Sequence, residues 1–437
     1  MSTSIRDYLE SGSLTSRQLQ AATGLSQPAV SRQIASMGDS IIKLRDGRSF
    51  RYAMTCNAFG ANDRLPLYMV DAHGNNVAVA LIRPLAHGGF FVEALTGMPP
   101  VLLGEKGNGL YDDLPYFLDD LRPQGFLGRQ IASDLAIQSE EFPEDPRHWN
   151  TEHVGQYLVS NGDDLPGNFK FGQQAHLRVR RMPIVSTESD YPSMAESVMS
   201  GTLPGSSAGG EQPKFTAFCG ERSSHVIVKF SPLGDDPVAR RWRDILITER
   251  HAIRAIHSQD FPAAETQLIN KEGRLFLESK RFDRSGEYGR ISMVSLASVD
   301  AEFTGLGSNW PAVMQALLDR GLVSGQHVYD AMFLWAFGKL INNTDMHLGN
   351  LSLGIDGAVF RILPVYDMCS MGFSPKGGEV VPYSFTPPDI SGINLRASTI
   401  AAVIAMARKF WDDLKEDPLI SDEFREFLGT GNPIDRM

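Results

Sequence analysis

Ile341-Asn342-Asn343-Thr344-Asp345-Met346-His347-Leu348-Gly349-Asn350, with Tyr366-Asp367 a short way beyond it, decides how this chain is read. The run follows a strongly apolar stretch of helical character. It precedes two apolar runs, Leu351 to Leu353 and Val359 to Val365, parted by Asp356-Gly357. Asp-Gly between apolar runs predicts a hairpin with a two-residue turn. With residues 355 and 358 flanking that turn, Asn350 falls opposite Leu363, and Asp367 lies just beyond the same hairpin end. Two carboxylates and an amide then converge. One Asp can orient a hydroxyl nucleophile while the Asn and the other Asp hold magnesium, the division of labour in phosphoryl transfer from ATP.

At 437 residues the chain is too long for one small domain, so two or three units are expected. No run approaches eighteen uninterrupted apolar residues, so neither a membrane span nor a membrane partner is expected. The N-terminus, with Arg6, Asp7 and Glu10, does not read as a signal peptide. Cys56, Cys219 and Cys369 lie far apart without metal-type spacing and suit a reducing cytoplasm. The histidines form no ligand pair at helical spacing, which argues against zinc. A net charge of −11 argues against a protein that coats nucleic acid with its whole surface. Residues 1–55, however, hold seven Lys/Arg against four Asp/Glu, a local balance of +3 that leaves −14 for the rest. Any contact with DNA belongs to this basic head.

Three short helices fit inside the first forty residues. The second runs from Thr15 to Thr23 and turns at Gly24-Leu25. The third begins Ser26-Gln27-Pro28, with Ser26 as N-cap and proline tolerable in a first turn. Val30, Ile34 and Met37 share one face, leaving Gln27, Ser31 and Arg32 to point outward toward bases or phosphates. Ile41 to Ala53 alternates around Asp46-Gly47 as the hairpin of a winged helix, with Lys43, Arg45, Arg48 and Arg51 placed for phosphates. The bland reading is a small helical docking module. The segment resembles winged helix-turn-helix domains of bacterial regulators.

Leu65 to Arg83 alternates as strands around His73-Gly74-Asn75, helices are expected near 112–121 and 125–138, and strands return beyond residue 166, including His176 to Pro183. The loop Gly201 to Glu211 is rich in small residues that let a backbone approach a polyphosphate, although it lacks the Walker spacing. A flexible connector is the plain alternative. Lys214 to Cys219 and His225 to Phe230 read as a hairpin, and Lys229 sits alone among apolar neighbours, where burial is costly unless an anion meets it. A helix starting near Val238 carries Glu249 as a candidate partner. Leu275 to Glu278 is a further strand, running into Lys280-Arg281-Phe282-Asp283-Arg284.

These residues together resemble the HipA family of bacterial serine/threonine kinase toxins. The resemblance rests on Ser207-Ala-Gly-Gly-Glu-Gln-Pro-Lys214, Lys229, Lys280 to Arg284, Asn343 to Asn350 and Tyr366-Asp367-Met368, and covers roughly residues 60–410. The fused head is similar to a YjjJ-type subgroup. What the resemblance implies is an α+β, two-lobed protein-kinase-like fold with an additional N-terminal subdomain. The expected units are a winged helix-turn-helix at 1–55, the subdomain at 60–165, the small lobe at 166–285 and a helical large lobe at 286–437. It further implies ATP and Mg2+ as cofactors, Asp345 as the orienting base, and Asn350 and Asp367 as metal ligands. Lys229 would meet the phosphates, with Ser207, Ala208, Gly209, Gly210, Gln212 and Lys214 over them. Lys280 and Phe282 would lie where the connector meets the nucleotide. Ser207 matches a serine whose self-phosphorylation silences family kinases, with Ser206 beside it leaving the register open. His347 matches the family pattern and otherwise bonds the loop backbone.

The function expected is phosphorylation of a cellular protein, a translation component among the candidates, with homodimerisation left open. A regulator that binds DNA and only senses nucleotide is the alternative. A magnesium nuclease fed by the head comes third, because it leaves the Gly/Ser loop and Lys229 without a purpose.

Overall fold

The computed structural model describes residues 4–46, 49–162, 164–178, 185–200 and 212–437. The first element, Ile5–Ser11, is capped by Ser4 in a reciprocal pair with Asp7, and Ser16–Thr23 by Thr15 with Gln18. Gly24, in the left-handed region at φ 70°, ends the second helix. Gln27–Ser36 follows Ser26, whose side chain makes no capping bond. Val30 and Ile34 join Ile5, Leu9, Leu19 and Met54 in a small core. Strands Leu14–Thr15, Ile41–Asp46 and Ser49–Met54 form an antiparallel sheet with Ser49–Met54 central.

This head is not loosely tethered. Ile42, Leu44 and Ala53 pack against Leu85 of the next unit. Arg83, 3% exposed, donates to the carbonyls of Asp39 and Asp63 at 2.7 Å each and pairs with the Asp63 carboxylate. A buried guanidinium satisfied on several sides fixes geometry more than it adds stability.

The next unit is a five-stranded antiparallel sheet in the order Leu110–Tyr111, Phe90–Ala94, Asn76–Pro84, Leu65–Val70 and Phe169–Phe171. Its last strand carries the sheet beyond residue 165. The following residues depart from the expected strand His176 to Pro183. Gly172 turns at φ 93°, and Ala175–Arg178 is a single helical turn in which His176 meets the Gln173 carbonyl. Residues 179–184 lie outside the described residues.

A second sheet runs Thr266–Lys271, Arg274–Lys280, Ser224–Phe230, Lys214–Cys219, Val185–Ser186. The helix Pro237–His257, with Asp236 accepting from two of its first N–H groups, packs against it. The remaining unit is helical. Leu296–Phe303, Trp310–Asp319, Gly325–Leu340, Ala397–Lys415 and Asp422–Gly429 surround a small sheet of Val294–Ser295, Ser352–Asp356 and Val359–Ile362. One contiguous apolar core runs from the first five-stranded sheet through Pro237–His257 into these helices.

The expected hairpin forms with a register two residues away from the expected one. Asp356 pairs with Val359 and Leu353 with Ile362, so the turn is Gly357-Ala358. Only its first central residue has positive φ (60°), the pattern of a turn with glycine at that position. A shift of two preserves which face each side chain occupies, so the end bearing Asn350 still meets the approach to Asp367. No helix among the described residues is long and apolar enough to cross a membrane.

Candidate active site

Lys214 and Lys229 are direct cross-strand partners and therefore share one face of the second sheet. Lys229 is 6% exposed. Its Nζ lies 2.7 Å from both carboxylate oxygens of Glu249, on Pro237–His257, and also donates to Asp367 Oδ1. Burial alone would lower the Lys229 ammonium, but the Asp367 and Glu249 carboxylates more than offset it and hold it above its ordinary value. Burial likewise pushes Asp367 up, and Lys229 overrides this, leaving Asp367 at about 2. Both groups are therefore charged at neutral pH.

The loop that carries Asp345 begins where Gly325–Leu340 ends. Asn342 adopts φ 62° and accepts from the Gly372 N–H at 2.9 Å, which turns the chain back toward Asp367. Asn343, 4% exposed, then ties the two segments together. Its Oδ1 accepts from the Asp345 N–H at 3.0 Å, and its Nδ2 lies 3.4 Å from the Asp367 carbonyl. Asn350 Nδ2 donates to the Asp345 carbonyl at 2.6 Å and lies 3.5 Å from Asp345 Oδ2. This orientation leaves the Asn350 carbonyl oxygen available to a cation.

His347 Nδ1 accepts from the Gly349 N–H at 3.0 Å, and Nε2 stands 3.8 Å from Asp345 Oδ1. The imidazole thus shapes the loop backbone. Trp310 Nε1 donates to the His347 carbonyl at 2.9 Å, and the Tyr366 hydroxyl donates to the Gly349 carbonyl at 3.1 Å. Asn-x-Asp is a recognisable local hydrogen-bonding pattern, so Asn343 had a signal in the sequence. Trp310 had none.

Gln212, Lys214, Lys229, Asp345, His347, Asn350, Tyr366 and Asp367 line a single cleft of about 1490 Å³. Gln212 is 6% exposed and its Nε2 finds no partner among the described residues. A buried donor left unpaired costs free energy until an acceptor arrives, and here it sits in the same cleft as two lysines. Among the described residues, no group of three or more His, Cys, Asp or Glu is placed to hold a metal. A carboxylate plus an amide oxygen nevertheless fits magnesium, which takes few protein ligands and fills its shell with phosphates and water.

Ser207, Ala208, Gly209 and Gly210 lie outside the described residues, as does Arg48. Lys280 does not line the cleft; it is exposed and reaches Glu265 at 3.0 Å. Phe282 packs its ring on Tyr366, 5.6 Å between centroids. Between them, Arg281 and Arg284 each reach Asp164 at 2.8 Å and both grip Asp283, whose carboxylate also takes the Gly167 N–H. In the head, Gln27, Ser31, Arg32, Lys43 and Arg45 are all exposed, while Arg51 turns inward to Ser13.

Fold and cleft define a HipA-like protein. Residues 206–410 match the HipA-like C-terminal domain. The HipA toxin of Shewanella oneidensis MR-1, solved with HipB and operator DNA, overlays 84% of this chain and 94% of its own at a TM-score of 0.56 and 16% identity, which shows a shared fold. Residues 61–180 match the middle domain of YjjJ-like toxins. Toxin YjjJ of Escherichia coli (strain K12) is 33% identical over 430 residues, 96% of this chain and 94% of that one. The chain belongs to the YjjJ-like toxin family.

Proposed function

We propose that the protein is an ATP- and magnesium-dependent serine/threonine protein kinase acting on a cellular protein. The observation that carries this reading is the buried Lys229–Glu249 pair, whose Lys229 contacts Asp367 and lines one cleft together with Asp367, Asp345 and Asn350. Lys229 would exchange Asp367 for the nucleotide's phosphates while Glu249 holds its amine in place. Lys214 and the unpaired Gln212 N–H would meet phosphate oxygens. Asp345 would accept the hydrogen bond of an incoming Ser or Thr hydroxyl and orient it for attack. Asn350 and Asp367 would hold magnesium, which supplies charge neutralisation along the phosphates. The phosphoproteins of cells expressing wild type and Asp345→Asn test this in the cell. Serine or threonine sites present only with wild type are expected, and identical profiles would overturn it.

The head supports a second role beside the first. Exposed Gln27, Ser31 and Arg32 on one helix, with Lys43 and Arg45 on the adjoining sheet, suit base and phosphate contacts on DNA. A footprint lost in Arg32→Ala but kept in Asp345→Asn is expected. Equal footprints from wild type and Arg32→Ala would remove the recognition role.

A further inference from the structure

The groups suited to a nucleotide occupy only part of the cleft. Much of the remaining lining comes from residues 105–131 of the first sheet's unit and from the helix Leu296–Phe303. These two parts meet beside the segment that carries Asn350. Ser295 pairs with Ser352, two residues beyond Asn350, and its N–H donates to Asp120 at 2.8 Å. At the other end of the helix, Glu302 accepts from the Glu105 N–H at 2.8 Å. The groove between them is lined along the helix by the small residues Ser295, Ala297, Ser298 and Ala301, of which Ser298 donates to the Tyr116 carbonyl at 2.6 Å. Its wall carries Glu105, Asp112, Asp113 and Asp119, against Lys106, an Arg122 already bonded to Asp119 and the Trp149 carbonyl, and an Arg320 that stands 4.0 Å from Glu105. Glu105 and Asp112 are exposed.

We propose that this groove seats the acceptor segment of the substrate protein and selects segments with Lys or Arg close to the acceptor hydroxyl. The inference rests on the kinase reading and adds a substrate class to it. An eight-residue helix is about 12 Å long, and about four residues of extended chain span that distance. The selected cations therefore fall within about four residues of the hydroxyl that Asp345 receives. Asp112 and Asp113 pair with no basic side chain among the described residues, and these two carboxylates disfavour a phosphate backbone, so a polypeptide carrying cations is the occupant that complements them.

Two labelled serine peptides, one flanked by arginines and one by glutamates, test the groove by fluorescence anisotropy in the presence of magnesium and a non-hydrolysable ATP analogue. Wild type is expected to bind the arginine peptide at least about tenfold more tightly. Glu105→Lys/Asp112→Lys, with an unchanged melting curve, should bring the ratio close to one. Glu416→Lys/Glu426→Lys, which makes the same charge change on the exposed surface far along the chain, should preserve it. Equal or absent binding of the two peptides, or equal loss in both double variants, overturns the groove. So does tighter binding of a single-stranded DNA oligonucleotide that Glu105→Lys/Asp112→Lys strengthens. Peptide binding is read without phosphate transfer, so the two failures separate. Transfer with no peptide preference sinks the groove alone; preference with no transfer supports the groove and sinks the kinase reading.

Discussion

Lys229 balances the buried Glu249 carboxylate and the partly exposed Asp367 carboxylate with one ammonium. Replacing it by Met leaves Glu249 and Asp367 uncompensated, and removal of one partner from such a pair costs about 3–5 kcal/mol. Urea unfolding of Lys229→Met should show that loss, and adding Glu249→Leu should recover part of it. Asn343 makes a different prediction, because it holds Asp345 and Asp367 in place without facing a substrate. Asn343→Ala should cost about 1–3 kcal/mol of stability and lower kcat more than it raises KM for ATP in steady-state kinetics. The Lys229–Glu249 pair was legible because a lone lysine in an apolar strand demands an anion, and the next helix offered one. Its contact with Asp367 was not legible, since nothing local reports a partner 138 residues away.

At the scale of elements, the loop carrying Asp345 depends on how closely it meets the helix before it. A Cβ at Gly338 would come within 2.2 Å of Met346 Sδ, and Met346 is only 5% exposed. Gly338→Ala should therefore lower stability by about 1–3 kcal/mol through overpacking. Combining it with Met346→Ala should give a smaller loss than the two single losses added, measured by thermal unfolding. The hairpin after the loop shows where sequence reading stops. Asp-Gly marked the turn, but whether glycine sits first or second among its central residues depends on backbone angles that the letters do not carry. The positive φ of Asn342 and Asp367, 62° and 52°, is equally silent in sequence, yet it turns both segments toward the cleft.

Across the whole molecule, Lys280 to Arg284 join the second sheet to the preceding unit. The sequence showed four charged residues around Phe282 but not that Asp164, 117 residues upstream, would receive Arg281. Burial raises the Asp283 carboxyl, and Arg281 and Arg284 more than reverse this, holding it well below the usual carboxylate range. A depressed folded value stabilises the protein fully above the unfolded value of about 4, and the contribution fades as pH falls below it. The melting temperature should accordingly drop below about pH 4, and Asp283→Asn should lower it at neutral pH while flattening that acid limb. The head is legible in outline, from its glycine turn and its alternating hairpin, whereas its caps at Ser4 and Thr15 were not read from the sequence. Its rigid seating through Arg83 depends on long-range partners and is visible only in the fold.

On the function proposed, one cleft lined by Lys229, Asp345, Asn350 and Asp367 moves phosphate from ATP to a hydroxyl. Incubating purified protein with γ-labelled ATP, magnesium and a cell lysate measures that directly. Label is expected in serine or threonine of protein with the wild type, lost on chelating magnesium, and absent with Asp345→Asn. Equal label from wild type and Asp345→Asn, or none from wild type with magnesium present, would contradict it.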